Sequence, residues 1–148
     1  MKNSIVFLLF TLIALTSCEK DCSSPVVQDN ATLLARPKAW KFISSKSVIN
    51  NNPEEYIRSS VPQDFDNWTF TFNTDGTGVL KSTNESWQLT YNWLNTEKTK
   101  LSFVLQQPNL VTGQWDNILL TEDKLSYTEY IATPLRLSMS INNLVPVE

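Results

Sequence analysis

The chain has no histidine and only three glycines, two cysteines and two methionines among 148 residues. Without histidine, neither a Ser-His-Asp or Cys-His nucleophile system nor the usual mixed histidine zinc site can be assembled. With so little glycine there is no glycine-rich loop to cradle a phosphate and no G-x-S-x-G elbow. Basic charge is also scarce, with 12 Lys and Arg against 15 Asp and Glu, whereas a nucleic-acid surface needs a basic excess. The expectation from these absences is a protein that is not an enzyme, uses no cofactor or metal and does not bind nucleic acid.

What is present begins with Lys2 and an apolar run over 5–15 (IVFLLFTLIAL), broken only by Thr11. A membrane-spanning helix takes about 20 apolar residues, so this shorter run reads as the core of a signal peptide, residues 1–17. Its end, Leu15-Thr16-Ser17-Cys18, resembles a bacterial lipobox. That resemblance implies cleavage before Cys18 and lipidation of its thiol, and several acyl chains give a stable membrane anchor. The alternative is an ordinary exported protein with a chance cysteine. If Cys18 is lipidated, Cys22 has no partner in its own chain and is a free thiol or pairs between molecules. The following Glu19-Lys20-Asp21 resembles signals that send lipoproteins of Bacteroidetes to the cell surface. It implies the cell envelope, at the outer membrane, on its periplasmic or outer face.

Cleavage before Cys18 leaves 131 of the 148 residues, enough for one domain and too few for two. Few large apolar residues occur before Leu33-Leu34, so 18–36 reads as a tether carrying the lipidated cysteine and 37–148 as the domain.

Within 37–148 the apolar residues alternate with polar ones, the period of half-buried strands. Trp68, Phe70 and Phe72 share a face, as do Trp87, Leu89, Tyr91 and Trp93. Leu101, Phe103 and Leu105 repeat the pattern, then Leu125, Tyr127 and Ile131, then Leu135, Leu137, Met139 and Ile141. Turn chemistry separates the runs: Gly76 in Asn73-Thr74-Asp75-Gly76 can take positive φ at low cost. Eight strands are expected, at 39–48, 67–73, 77–82, 86–94, 99–106, 114–120, 124–132 and 134–141. In the one long connection, Asn52-Pro53-Glu54-Glu55 has the order of a helix start, with an irregular flap as the alternative. The fold class is all-β: an eight-stranded antiparallel up-and-down barrel, which leaves no sheet edge, with a two-sheet β-sandwich as the alternative.

Lys38-Ala39-Trp40-Lys41-Phe42, the stretch from Trp68 to Gly78, Trp87-Gln88-Leu89 and the late Ile118-Leu119-Leu120-Thr121-Glu122-Asp123-Lys124-Leu125 together resemble the lipocalin-like lipoproteins of Bacteroidetes. The resemblance spans about 33–141, and Lys38 stands where the wider lipocalin pattern has glycine. It implies a barrel that binds or carries a small apolar or amphipathic molecule.

The candidate ligand-lining residues are Trp40, Trp68, Phe70, Phe72, Trp87, Tyr91, Trp93 and Phe103. The same aromatics could equally fill a small barrel solidly. In that case the protein is an interaction module, contacting another envelope protein or a glycan through loops such as 49–66. Trp115, beside Gln106-Gln107-Pro108, suits a barrel mouth or a protein interface. Asp64 and Asp66, flanking Phe65, are the carboxylate pair that could serve acid/base work or bind a hard cation, although Asp readily caps and turns a chain.

Overall fold

The computed structural model describes residues 28–58, 64–106, 110–133 and 136–148; the apolar run 5–15, Cys18 and Cys22 lie outside them. The strands are β1 (Ala39–Ile49), β2 (Asn52–Ile57), β3 (Thr69–Phe72), β4 (Thr77–Lys81), β5 (Ser86–Trp93), β6 (Leu101–Gln106), β7 (Val111–Leu120), β8 (Leu125–Thr133) and β9 (Arg136–Val147). Eight of them, β1 and β3 to β9, pair antiparallel in chain order, and β9 returns to pair with β1 along the whole length of that strand. The result is a closed up-and-down barrel rather than a two-sheet sandwich. Gly76 takes φ +85° in the β3–β4 turn, as the hairpin requires.

The expected helix start at Asn52-Pro53-Glu54-Glu55 is instead β2, an extra strand hydrogen-bonded to the second half of β1. The two-residue turn decides it: Asn50 and Asn51 adopt φ 48° and 67°, the paired left-handed conformation that matches strand twist. Pro53 is tolerated because β2 is an edge strand, where a missing N–H breaks no ladder. β3 pairs with β1 only at Trp40 and Lys41, and β2 takes over the same edge from Ser44 onward.

A second difference lies before Pro37. Asn30–Ala35 forms a short helix, α1, in a stretch expected to be tether. Six residues cannot hold a helix by themselves. Burial of Leu33 and Leu34 fixes it across one end of the barrel, where Trp40 Nε1 donates to the Leu34 carbonyl at 2.8 Å. Ion pairs Lys98–Asp29 (2.6 Å) and Arg36–Glu122 (3.1 Å) tie its flanks to the loops of that end.

The third difference is the facing of β9. Leu137, Met139 and Ile141 point outward and are exposed, while Ser138, Ser140 and Asn142 point inward and are buried. Leu144, fully buried and paired with Leu125 and Phe42, sets the parity, and a period of two carries it back along the strand.

Candidate functional site

The barrel interior has two unlike halves. Toward α1 it is solid: Trp40, Phe72, Leu101, Ile118, Leu125 and Leu144 are all buried in one cluster. At its centre lies Trp115, 1% exposed, so it belongs to the core and not to a mouth or an interface. Its ring meets Phe70 edge-on at 5.5 Å and Phe72 at 5.7 Å and stacks on Tyr127 at 3.7 Å. Tyr127 is wholly enclosed, and burial, followed by the nearby charge of Glu129, pushes its hydroxyl well above the ordinary tyrosine range. That hydroxyl sits beside Asn142 without meeting a partner at full hydrogen-bond geometry.

Beyond Phe70 and Phe103 the interior opens into a cavity of about 740 Å³. Pockets for small molecules commonly enclose about 300–1,000 Å³, so the space suits one such ligand. Of the eight expected lining residues, Trp68, Phe70, Trp87 and Phe103 line it. The other four do not: Trp40, Phe72 and Tyr91 are buried in the solid half, and Trp93 packs against that core, edge-on to Tyr91 at 6.1 Å. The lining alternation of a strand identifies which side chains point inward, but not how far along the axis the packing stops.

The cavity walls differ in chemistry. From β3 to β7 the wall is apolar apart from Glu85 in the β4–β5 turn, with Phe70, Leu80, Trp87, Phe103, Leu105 and Val111. From β8 through β9 to β1 it carries Glu129, Asn142, Ser140, Ser45 and Ser47. Ser45 Oγ donates to Asn142 Oδ1 at 2.7 Å, and Trp115 Nε1 donates to Glu129 Oε1 at 2.9 Å, so both polar groups are held in place. Gly113, paired with Phe103 across β6 and β7, makes room for that ring: a Cβ there would stand 2.5 Å from Phe103 Cζ.

At the cavity's side, where β1 passes from β3 to β2, the seam is closed by aromatic rings and one cation. Tyr56, Phe65, Trp68 and Trp87 run in sequence with centroids 5.2 Å apart at each step. Asp64–Asn67 forms a 3₁₀ turn that presents Phe65 to this row. Asp66 accepts the Tyr56 hydroxyl at 2.6 Å and pairs with Arg58 Nη1 at 3.7 Å. Arg58 also donates from Nε to the Phe42 carbonyl and from Nη2 to the Asp66 carbonyl, both at 2.7 Å. Its position beside the irregularity of β1 at Phe42 and Ser44 satisfies a carbonyl that the ladder leaves over. Asp66 is thus bound into the wall of the barrel; the Asp64 side chain lies outside the described residues. Burial, and after it the bond to Asp66, raises the Tyr56 hydroxyl to about 12.

Sequence reasoning missed Phe42, Tyr56, Phe65 and the polar wall. Tyr56 was hidden by the helical reading of its segment, although Asn50-Asn51 carried the hairpin signal. Ser138, Ser140 and Asn142 alternate in step with Leu144, which was the available sign that they face inward.

Comparison with known proteins finds no family model, no curated protein and no solved structure that matches this chain.

Proposed function

We propose that this protein is a membrane-anchored, lipocalin-like lipoprotein of the cell envelope whose barrel binds or carries one small apolar or amphipathic molecule. The observation that supports it best is the hollow half of the barrel, about 740 Å³ with one apolar and one polar wall, standing on a tightly packed floor. Such a cavity removes the apolar side of a ligand from water while serine, asparagine and glutamate meet its polar side. The lipobox-like Leu15-Thr16-Ser17-Cys18 supports the anchor, and Glu19-Lys20-Asp21 supports an outer-membrane address. The reading is binding and not catalysis, and the engagement of Asp66, one of the two carboxylates weighed for acid/base work, by Arg58 and Tyr56 supports it.

Two experiments test this reading. Native mass spectrometry of the gently purified protein is expected to show a one-to-one small-molecule adduct that is lost on denaturation. Labelled fatty acid fed to the producing bacterium is expected to enter the protein and to be absent from Cys18→Ser; equal labelling of that variant would refute the anchor.

A second reading, an interaction module, is favoured by a specific feature of the exterior. Val48, Tyr130, Leu137, Met139 and Ile141 are all exposed, and Met139 sits between Tyr130 and Val48 in the register of β8, β9 and β1. Contiguous apolar surface of this kind often marks a contact site. A discrete photocrosslinked partner from position 137, together with no small-molecule uptake, would favour it over the carrier.

A further inference from the structure

The inward face of β9 carries Ser138, Ser140 and Asn142 where a packed barrel would carry apolar side chains, and all three are buried. β1 matches it: in the register of the two strands Ser47 stands opposite Ser140 and Ser45 opposite Asn142, and these four line the cavity as two adjacent polar pairs. Buried hydroxyls are ordinarily hydrogen-bonded, and one left unmet lowers stability. The Ser138 hydroxyl, in a residue 2% exposed, has no partner. Among the described residues none bonds the hydroxyl of Ser47 or of Ser140, although Ser140 is only 8% exposed. Alanine at these positions would carry no such cost, so the hydroxyls point to a partner that arrives in the cavity.

The two pairs differ in what they offer. At Ser45 and Asn142 the hydroxyl hydrogen is already given, from Ser45 Oγ to Asn142 Oδ1 at 2.7 Å, which leaves oxygen lone pairs to accept from a ligand. At Ser47 and Ser140 both hydroxyls keep a hydrogen to donate as well as lone pairs to accept. Directly opposite residues of antiparallel strands hold their Cβ atoms about 4.5–5.5 Å apart, so one ligand oxygen placed between Ser47 and Ser140 reaches both. The next pair lies about 6.8 Å along the strands, within reach of a second group on the same head. A carbonyl or ether oxygen accepts without donating, and an ammonium donates without accepting; a hydroxyl does both. In the strand order β1 and β9 stand across the barrel from β6 and β5, whose Phe103, Leu105 and Trp87 face the apolar part of the same molecule.

We infer that the ligand of this cavity is an amphiphile with a hydroxyl-bearing head, a glycerol or sugar group on an apolar chain, held by Ser47 and Ser140 with Ser45 and Asn142 beside them. The inference rests on the carrier reading proposed above and names the ligand class for that site.

In the test each probe competes, below its micelle concentration, against phenylnaphthylamine, a neutral fluorophore, on the intact protein. 1-Decanoylglycerol, with two free hydroxyls, is set against its dimethyl ether, which keeps the chain, the ester and the oxygen acceptors and loses the donors. Decyl glucoside and its tetramethyl ether form the same comparison for a sugar head. The hydroxylated member of at least one pair is expected to bind about tenfold more tightly than its ether, as two neutral hydrogen bonds allow, and the pair that shows it tells glycerol from sugar. In the double variant Ser47→Ala, Ser140→Ala that advantage should fall to about twofold or less with binding of the ether unchanged, whereas a preference set by the bulk of the methyl groups would persist. Thermal unfolding checks that the fold is retained. Ser47→Ala alone, at a half-buried position, should reduce the advantage by about threefold and serves if the double variant unfolds.

Equal binding of the hydroxylated probe and its ether in both pairs would show serines met by water only and would overturn the inference, as would an advantage undiminished in the serine variants. Saturable binding of phenylnaphthylamine would in either case leave the carrier reading in place. Failure of every probe and of phenylnaphthylamine itself would overturn both.

Discussion

Trp115 joins the two halves of the barrel: its indole stacks on Tyr127 at 3.7 Å on the filled side, and its N–H reaches Glu129, on the cavity wall, at 2.9 Å. One side chain thus terminates the core and positions a carboxylate at the edge of the open space. The boundary between packing and cavity is a property of this residue and the rings around it.

Trp115→Ala should destabilise the protein by about 3–5 kcal/mol, the range for deleting a large buried aromatic. Trp115→Phe, which retains ring packing and loses the bond to Glu129, should cost about 1–3 kcal/mol. Urea unfolding checks both: the midpoint should fall with the slope unchanged.

The two halves predict opposite responses to the same kind of substitution. Phe72→Ala, in the filled half, is expected to cost about 3–5 kcal/mol and to alter ligand affinity little. Trp87→Ala, half-buried on the cavity wall, should lose about 1 kcal/mol from its stacking with Trp68 and weaken probe binding clearly. Paired unfolding and fluorescence titrations separate the outcomes.

How much of this was legible beforehand varied with the kind of interaction. Alternation in Trp87, Leu89, Tyr91 and Trp93 fixed strand and facing, because a half-buried strand needs that period whatever its surroundings. The same rule misled at Leu137, Met139 and Ile141, where a polar cavity wall puts the serines and Asn142 inside instead. Facing there depends on register with β8 and β1, a long-range property that a local window does not contain. α1 was hidden for the same reason, since its six residues are held by Trp40 and the barrel end and not by helix propensity. The depth at which the core stops was not legible at all, because Phe72 and Phe70 look alike in sequence and differ only in what lies beyond them.

Gly113→Ala should test the close approach of β7 to Phe103. With Cβ 2.5 Å from the ring and 2.8 Å from the Tyr130 carbonyl oxygen, both Phe103 and the backbone of β8 must give, at a cost of about 1–3 kcal/mol for overpacking, and Phe103 lines the cavity. Reduced stability together with weaker binding of a bulky probe is the expected pair of results.

Alkaline pH provides a further check. The hydroxyls of Tyr56, Tyr91 and Tyr127 are raised in the folded state, chiefly by burial, above the value of about 10 that tyrosine has when unfolded. The folded form therefore holds these protons more tightly. The stability they contribute is fully present below about pH 10 and is lost as pH rises from there through the folded values, about 12 for Tyr56. Tyr56→Phe should flatten that decline, visible as a smaller loss of the urea midpoint between neutral and strongly alkaline pH.

The most direct test of the central claim is titration of phenylnaphthylamine into the protein and into Leu105→Trp, a substitution that projects a bulky ring into the cavity from its apolar wall and leaves the Trp115 core in place. The account predicts one saturable site per chain in the native protein and clearly altered affinity at that site in Leu105→Trp, with thermal stability retained. Absence of a saturable site, or binding unchanged by the obstructed cavity, would contradict it.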